Sequence, residues 1–321
     1  MTTVPSESAG HGGVLLEVSD LHVHFPMREG LVRATSGVSF EAREGETVAI
    51  VGESGCGKSV TAQAILRIIP PPGRIVRGSI VLHRNRRTAN SLSQLVESVD
   101  IASLREDDPE MIMIRRNEIS LIMQEPMSAL SPVHTVGNQI VEKIRLSSTL
   151  TKREARDRAI ELLQMVGIPK AEQRIDAYSF ELSGGMRQRA MIAMALASSP
   201  RLLIADEPTT AVDVTIQAQI LRLLRQLQEE LGLAILLITH DLGVVANMAH
   251  RVTVMYRGIV VEQGPVDAIY QEPKHPYTRG LLASIPDLAD KPGERISIIP
   301  GVVPHPYAVV PGCQFHPRCS K

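Results

Sequence analysis

The chain has 321 residues, 44% of them hydrophobic, which is enough for the core of one large domain or two modest ones. Its 34 Lys and Arg residues nearly balance 35 Asp and Glu residues, so no strong overall field would draw it to nucleic acid or to an anionic membrane. Its apolar runs are shorter than the ~20 residues that span a bilayer, its N-terminus does not resemble a secretory signal, and three cysteines make no disulfide framework, so we expect a cytoplasmic protein.

The first part of the chain combines alternating and continuous apolar patterns. Residues 1–13 are small and polar, which predicts a disordered leader. Residues 14–25 and 32–42 alternate between apolar and polar side chains, as antiparallel strands do. The run ETVAIVG at 46–52 is continuously apolar and ends in glycine, which is typical of a strand buried on both faces. Residues 83–118 are polar and have no clean period, so we predict an irregular insertion.

The middle of the chain predicts helices followed by further buried strands. Residues 153–166 and 186–198 have helical patterns, which indicates a mainly helical insert. The runs at 201–208 and 233–241 repeat the buried-strand design, and residues 216–231 between them have apolar side chains at helical spacing. A buried strand, a helix and a second buried strand in succession predict a parallel α/β sheet.

The last part of the chain predicts a hairpin and then an appendage. The stretch RVTVMYRGIVVEQG at 251–264 is typical of a β-hairpin that turns at Arg257-Gly258. Prolines are dense from Pro265 onward, which suggests that residues 265–321 form a separate extended appendage.

The octapeptide GESGCGKS matches the phosphate-binding pattern G-x-x-x-x-G-K-[ST] and lies between a buried strand and a helix pattern, as that motif requires. Its glycines let backbone amides turn toward phosphate oxygens, Lys58 reaches the β and γ phosphates, and the Ser59 hydroxyl binds Mg²⁺. A tight structural turn is the alternative, and Cys56 fits a small filler better than a redox switch. The predicted nucleotide-binding residues of this loop are Gly52, Glu53, Ser54, Gly55, Cys56, Gly57, Lys58, Ser59 and Val60.

Polar side chains follow three further apolar runs. Asp206 and Glu207 end a buried strand, where charge is costly unless it meets a cation or strong donors. We therefore expect Asp206 to bind Mg²⁺ and Glu207 to polarise the water that attacks the γ phosphate. His240 is predicted to sense that phosphate, since ligands bind beyond the carboxyl ends of parallel strands. Gln124 is a candidate ligand of the metal or of water, with a turn residue as the alternative.

A second candidate anion site opens the helix pattern of LSGGMRQRAMIAMALA. Ser183, Gly184 and Gly185 stand at its start, where free amides favour an anion. Together the motifs resemble the ATP-binding subunits of ABC transporters, with GESGCGKS as Walker A, Gln124 as Q-loop, LSGGMRQ as signature, LLIADEP as Walker B, TTAVD as D-loop and His240 as H-loop. The resemblance covers residues 14–264.

The resemblance implies an α/β fold of the P-loop NTPase class, the ABC cassette. This fold has a RecA-like parallel sheet, an antiparallel β subdomain and a helical signature subdomain at about 125–200. The expected organisation is a leader at 1–13, a nucleotide-binding domain at 14–264 and a Pro-rich C-terminal extension at 265–321. The resemblance also implies a head-to-tail dimer, in which the signature helix start of each subunit covers the ATP held by the Walker A loop of the other subunit. The D-loop residue Asp213 would belong to that interface, and Phe25 would stack on adenine, with an ordinary core phenylalanine as the alternative.

The stretches HPYTRGLLASIPD and IPGVVPHPYAVVPGCQFHPRC, at about residues 270–319, resemble the oligopeptide, dipeptide and nickel importer subfamily. Some members hold an iron–sulfur cluster in this tail, which makes Cys313 and Cys319 candidate partial ligands. The common cluster needs four cysteine ligands, so we favour its absence from this chain.

The resemblance implies an ATPase that binds ATP and Mg²⁺ and powers peptide uptake from the cytoplasmic face of the inner membrane. Its implied partners are two permease subunits, an extracytoplasmic solute-binding protein and a second ABC ATPase, with a heterodimer favoured over a homodimer. No nucleic-acid partner is expected. The alternatives are uptake of nickel or another small solute, a soluble ABC ATPase acting on ribosomes or DNA, and an exporter half; the transported solute stays open.

Overall fold

The computed structural model describes residues 12–86, 95–124, 130–209, 213–285 and 299–320. Nearly all of the predicted leader and most of the TTAVD stretch lie outside these ranges. The strands are β1 (Val14–Met27), β2 (Gly30–Arg43), β3 (Thr47–Val51), β4 (Arg74–Arg86), β5 (Leu95–Asp100), β6 (Ile119–Ile122), β7 (Leu202–Asp206), β8 (Ala234–Thr239), β9 (Arg251–Tyr256) and β10 (Ile259–Pro265). The α-helices are α1 (Lys58–Ile65), α2 (Pro109–Asn117), α3 (Val136–Ser147), α4 (Lys152–Met165), α5 (Ala171–Arg174), α6 (Gly184–Leu196), α7 (Val214–Leu231), α8 (Leu242–Met248), α9 (Val266–Gln271) and α10 (Pro276–Ala283).

The larger sheet has six strands in the order β10-β9-β3-β8-β7-β6. Its strands from β9 to β6 run parallel, and β10 pairs antiparallel with β9. Every residue of β3 and β8 is buried, which confirms the buried strands expected from continuous apolar runs. Because parallel strands end at the same edge, the loops after β3, β6, β7 and β8 emerge side by side.

The smaller sheet is antiparallel, with four strands in the order β2-β1-β4-β5. The β1–β2 pairing confirms the two alternating segments expected near the N-terminus. One hydrophobic cluster joins this sheet to the larger one and encloses α1, with Leu16, Val38, Ile50, Ile65 and Leu236 among its buried members. The helix that follows the phosphate-binding loop is therefore held between the two sheets.

The helical part of the molecule lies between β6 and β7 in the chain. The expected helices at 153–166 and 186–198 are α4 and α6, displaced by only one or two residues. Thr151 and Glu154 form a capping box at the start of α4, since each side chain accepts from the other residue's backbone amide. A second cluster packs these helices, through residues such as Ile140 and Leu162, against Leu237 of β8.

The expectation of an irregular insertion at 83–118 was wrong. β5 pairs antiparallel with β4, and α2 begins after Asp108, whose Oδ1 accepts the Glu110 amide at 3.0 Å. Met111 and Ile114 are the buried face of this helix, and the Arg84 Nε donates to both carboxylate oxygens of Glu118 at 3.0 Å. The segment shows no clean period because α2 buries only two of its residues and ion pairs supply part of the packing. Residues 87–94 lie outside the described ranges.

The hairpin at 251–264 is confirmed, with Arg257 at φ 44° and Gly258 at φ 81° in the turn. The described part of the C-terminal extension packs against the cassette instead of standing apart from it. The Tyr256 ring of β9 lies 4.7 Å from the Tyr277 ring and 5.3 Å from the Phe315 ring, between centroids. Among the helices in the described ranges, none has both the length and the apolarity needed to cross a bilayer.

Candidate nucleotide-binding site

The phosphate-binding loop follows β3 and is tightly enclosed by backbone. A Cβ on Gly52 would lie 2.2 Å from the Met255 carbonyl oxygen, and a Cβ on Gly57 would lie 2.3 Å from that of Ala34. Both glycines also have positive φ values, 150° and 100° respectively. Any side chain at these two positions would therefore displace the loop from β9 and β2.

Lys58 is buried and lies across the loop. Its Nζ donates to the Gly52 carbonyl at 2.7 Å and to the Glu53 carbonyl at 3.0 Å. Helix α1 begins at Lys58 after the left-handed Gly57, and no described side chain caps its first amides. An ammonium group beside an uncapped helix start is an arrangement that attracts phosphate oxygens.

Asp206, at the end of β7, is suited to hold a cation. Its Oδ1 is buried and has no hydrogen-bond partner among the described residues. Burial raises the pKa of the Asp206 carboxyl, Glu207 adds to the rise, and a hydrogen bond from Ser59 and the charge of Lys58 oppose it. A buried carboxylate oxygen with free lone pairs, next to a serine hydroxyl, matches the oxygen ligands that Mg²⁺ prefers. Ser59 and Asp206, two of the three residues predicted to bind Mg²⁺, therefore fit it.

Glu207, which follows β7, contacts polar side chains that follow the two neighbouring strands, β6 and β8. Its Oε1 lies 3.1 Å from the His240 Nδ1, and its Oε2 accepts from the Gln124 Nε2 at 3.0 Å. The residue itself has a positive φ of 46°, and its amide donates to the Ile238 carbonyl at 2.8 Å. The structure thus brings three candidate site residues, Gln124, Glu207 and His240, together beyond the ends of β6, β7 and β8.

A cleft of about 700 Å³ connects the phosphate-binding loop to Gln124 and Glu207. The loop residues Ser54, Gly55, Gly57, Lys58, Ser59 and Val60 line it together with Gln124 and Glu207. Phe25 and Val32, from β1 and β2, form an apolar part of the same cleft, and Phe25 also packs against the core between the sheets. The predicted adenine contact and the predicted phosphate loop thus face one space.

Sequence reasoning missed the contribution of the C-terminal extension to this cleft. Its lining includes Val303, Pro304, Pro306, Tyr307, Ala308, Val309, Val310 and Gln314. The Arg257 guanidinium at the hairpin turn holds this segment, donating to Gln314 Oε1 at 2.8 Å and to the carbonyls of His305 and Ala308 at 3.0 and 2.9 Å. No local pattern marks such a contact, because the partners are distant in the chain.

The signature residues are not among the described residues that line the cleft. Ser183 caps α6, its hydroxyl accepting the Met186 amide at 3.3 Å. A Cβ on Gly184 would meet no described atom within 4 Å, whereas one on Gly185 would meet the Ile216 side chain at 3.3 Å. Asp213 caps α7 by accepting the Ile216 amide at 2.9 Å. The Gly184 surface is therefore open to another molecule.

The cysteines are spread over different environments. Cys56 is buried, and burial raises the pKa of its thiol, which is the environment of a small packing residue. Cys313 is exposed and Cys319 is half-buried. Among the residues that the structure describes, no three His, Cys, Asp or Glu side chains are grouped so that they could together hold a metal ion. The described tail residues therefore do not fit a cluster that needs four thiolates.

Comparison with known proteins finds matches over most of the chain. Residues 35–210 match the ABC transporter family, and residues 261–321 match the C-terminal region of oligopeptide/dipeptide transporters. The chain is 52% identical over 291 residues to the oligopeptide transport ATP-binding protein OppD of Bacillus subtilis, covering 90% of this chain and 77% of OppD. It is 49% identical over 306 residues to a probable peptide ABC transporter ATP-binding protein, y4tR, of Sinorhizobium fredii, covering 95% and 87% respectively.

The fold is also similar to that of a solved cassette, MJ0796, in a dimeric post-hydrolysis state bound to ADP and Pi. The two share 27% identity with a TM-score of 0.65, over 78% of this chain and 99% of the cassette.

Proposed function

The chain belongs to the ABC transporter family, as an ATP-binding protein, and on that premise we propose that it hydrolyses ATP to power peptide import through permease subunits. The observation that carries the ATPase part is one cleft lined by Lys58, Ser59 and Glu207, with Asp206 hydrogen-bonded to Ser59. The peptide part is supported by the match of residues 261–321 and by relatives at about half identity that are named for peptide transport.

The proposed role of each of four site residues follows from its position. The triphosphate lies against the amides at the start of α1, and the Lys58 ammonium neutralises its β and γ phosphates. Ser59 and Asp206 would hold Mg²⁺, and the bound ion would neutralise charge that develops on the transferred phosphoryl group. Phe25 offers its ring to the adenine.

Glu207 is the proposed general base. Its carboxylate accepts the proton of the water that attacks the γ phosphate. Gln124 and His240 contact one carboxylate oxygen each, and these contacts hold the group in a fixed orientation. His240 is also proposed to contact the γ phosphate, and this is supported by its position after β8 and by its largely exposed side chain.

We propose that the site is completed by a second ATP-binding subunit. The exposed helix start at Ser183-Gly184-Gly185 would cover the ATP bound by the opposite loop, with Asp213 at the same interface. This assignment is supported by the absence of these residues from the described lining of the chain's own cleft and by the dimeric state of the similar cassette. The pair is proposed to be a heterodimer of two different ATPases.

The proposed contact with the permeases is the surface near Gln124 and the helical region at about 125–180. Exposed apolar side chains lie there, including Met123 and Val133. Tyr178 and Phe180 are also exposed, and their rings stack with centroids 5.5 Å apart. Such a surface suits cytoplasmic helices of a membrane protein, and would hold this subunit at the cytoplasmic face of the membrane. An extracytoplasmic binding protein would deliver the solute.

The first experiment captures the complex from membranes. Tagged Glu207→Gln protein is incubated with gently solubilised native membranes and Mg-ATP, and the bound proteins are identified by mass spectrometry. The matched control carries Lys58→Ala as well, which removes nucleotide binding. Recovery of two multi-span permeases that depends on Lys58 supports the importer. Recovery of ribosomal or nucleic-acid proteins without a membrane subunit contradicts it.

A second experiment separates peptide from metal transport. The wild-type complex is reconstituted in liposomes with its binding protein, and uptake of a labelled oligopeptide is compared with uptake of labelled nickel. ATP-dependent accumulation of the peptide supports the proposed substrate class. Accumulation of nickel alone would contradict it while leaving the ATPase intact.

A further inference from the structure

The C-terminal extension reaches the phosphate-binding loop through a buried arginine. The Arg318 guanidinium donates to both carboxylate oxygens of Glu53, the second residue of GESGCGKS, at 2.7 and 3.1 Å. The Arg318 side chain is only 4% exposed, so little water competes for its donors. A bidentate pair of this kind fixes direction as well as distance, because the planar fork matches the carboxylate.

The surroundings of Arg318 hold it in place for this contact. Its Nε donates to the Pro300 carbonyl at 3.1 Å, and its second terminal nitrogen also reaches the Ile299 carbonyl at 3.4 Å. The guanidinium carbon lies 5.9 Å from the centre of the Tyr256 ring. The arginine is therefore oriented toward Glu53 by both polar and aromatic contacts.

A second residue of the extension holds the backbone of the same glutamate. The Tyr277 hydroxyl accepts the Glu53 amide at 2.9 Å, and Tyr277 is fully buried beside Tyr256 and Phe315. Two separate parts of the extension are thus hydrogen-bonded to Glu53, one at its carboxylate and the other at its amide.

The third polar group of Glu53 leads to the phosphate site. Its carbonyl accepts from the Lys58 Nζ at 3.0 Å. Movement of Glu53 would therefore move an acceptor that sets where the Lys58 ammonium lies. Neither Arg318 nor Tyr277 lines the nucleotide cleft.

We propose that Arg318 and Tyr277 are positioning residues for ATP binding, which act through Glu53 to hold the phosphate-binding loop in shape. The proposal rests on the proposed function, since it assumes that this loop binds ATP. It assigns the C-terminal extension a role in the nucleotide site itself. A merely structural extension would stabilise the fold without changing nucleotide affinity at temperatures well below unfolding.

The test measures affinity for a fluorescent ATP analogue with Mg²⁺ in the full chain. Arg318→Gln and Glu53→Gln are each expected to weaken binding about tenfold, since both leave one charge of a mostly buried pair without its partner. The double variant is expected to be no weaker than either single variant, because both remove the same contact. Arg318→Lys should restore part of the affinity. In steady-state hydrolysis the KM should rise more than the kcat falls.

The matched control removes another arginine–glutamate pair outside the site. Arg84→Gln breaks the contact of Arg84 with Glu118, in which both side chains are also mostly buried. This control is expected to lower the melting temperature without changing nucleotide affinity. Tyr277→Phe keeps the ring and removes only the hydroxyl, so it tests the amide contact without opening a cavity.

The outcomes distinguish the positioning role from the proposed function. If wild-type protein binds the ATP analogue and folded Arg318→Gln protein binds it equally well, the positioning role is refuted and the proposed function is not affected. Multiplicative losses in the double variant would also refute it, since they would show that the two residues act separately. A wild-type chain that binds no ATP analogue would refute the proposed function, and the positioning role with it.

Discussion

Replacing Glu207 by glutamine isolates its role as a base, because the substitution keeps the shape of the side chain. In the wild-type protein, Gln124 Nε2 lies 3.0 Å from Glu207 Oε2, and His240 Nδ1 lies 3.1 Å from Glu207 Oε1. In the variant, the glutamine amide oxygen still accepts from Gln124, and the amide nitrogen takes the place of the oxygen that faces His240. What is lost is the ability to take a proton. A positioned general base contributes roughly 10²–10⁴ in rate, which is about 3–5 kcal/mol of activation free energy.

The assay measures phosphate release and nucleotide binding separately. We expect the kcat of Glu207→Gln to fall by about 10²–10⁴ while its dissociation constant for Mg-ATP stays within about twofold of wild type. ATP-bound protein should then accumulate as a dimer, which light scattering detects. Glu229→Gln, on an exposed position of α7, is the matched control and should keep the wild-type kcat.

Two results would refute this reasoning. A kcat within about threefold of wild type would show that Glu207 is not the base. A loss of ATP affinity as large as the loss of kcat would show that the carboxylate contributes to ATP binding in the ground state and is not specific to the hydrolysis step.

Three further predictions concern other parts of the chain. Lys58→Ala should weaken ATP binding at least about 100-fold in a fluorescence titration, since the buried ammonium is lost, and near-normal affinity would contradict its role. Ser183→Arg should leave ATP binding by the mutant chain unchanged and stop hydrolysis at the facing site in a mixed dimer; loss of binding in the mutant monomer would contradict a site completed by a second subunit. Burial lowers the pKa of His275, whose Nδ1 accepts the Tyr277 amide at 3.1 Å, so the folded state should lose stability as the pH falls below about 6.5. His275→Asn keeps an acceptor and cannot gain that proton, so its melting temperature should fall less between about pH 7.5 and about pH 5.5; an equal fall would refute the assignment.

Patterns that depend on neighbouring residues led to correct predictions. The continuous apolar runs before Gly52, Asp206 and His240 predicted strands covered on both faces, and these strands lie side by side in the parallel sheet. The residues that follow them were expected to meet, because parallel strands share one carboxyl edge. The helix predictions succeeded for the same reason, since helical spacing is visible within a few turns of chain.

The prediction for residues 83–118 failed because contacts with other parts of the chain stabilise the secondary structure of this segment. β5 is stabilised by pairing with β4, and α2 buries only Met111 and Ile114 among its nine residues. A short element with a narrow apolar face resembles an irregular loop in sequence. Tertiary packing, which the sequence pattern does not display, decides its conformation.

The amino-acid sequence alone was enough to predict the candidate site residues: the loop, the carboxylate pair, Gln124, His240 and the helix start at Ser183. Their types and spacing follow from local chemistry, because each motif lies within one turn or one strand end. The packing of the C-terminal extension on β9, its place in the lining of the nucleotide cleft and its contacts with Glu53 are visible only in the folded chain. Arg318 and Glu53 are 265 positions apart in the chain, and their contact depends on how Tyr256, Tyr277 and Phe315 pack together. No local pattern encodes a contact between such distant residues, since it forms only after the surrounding core has brought them together.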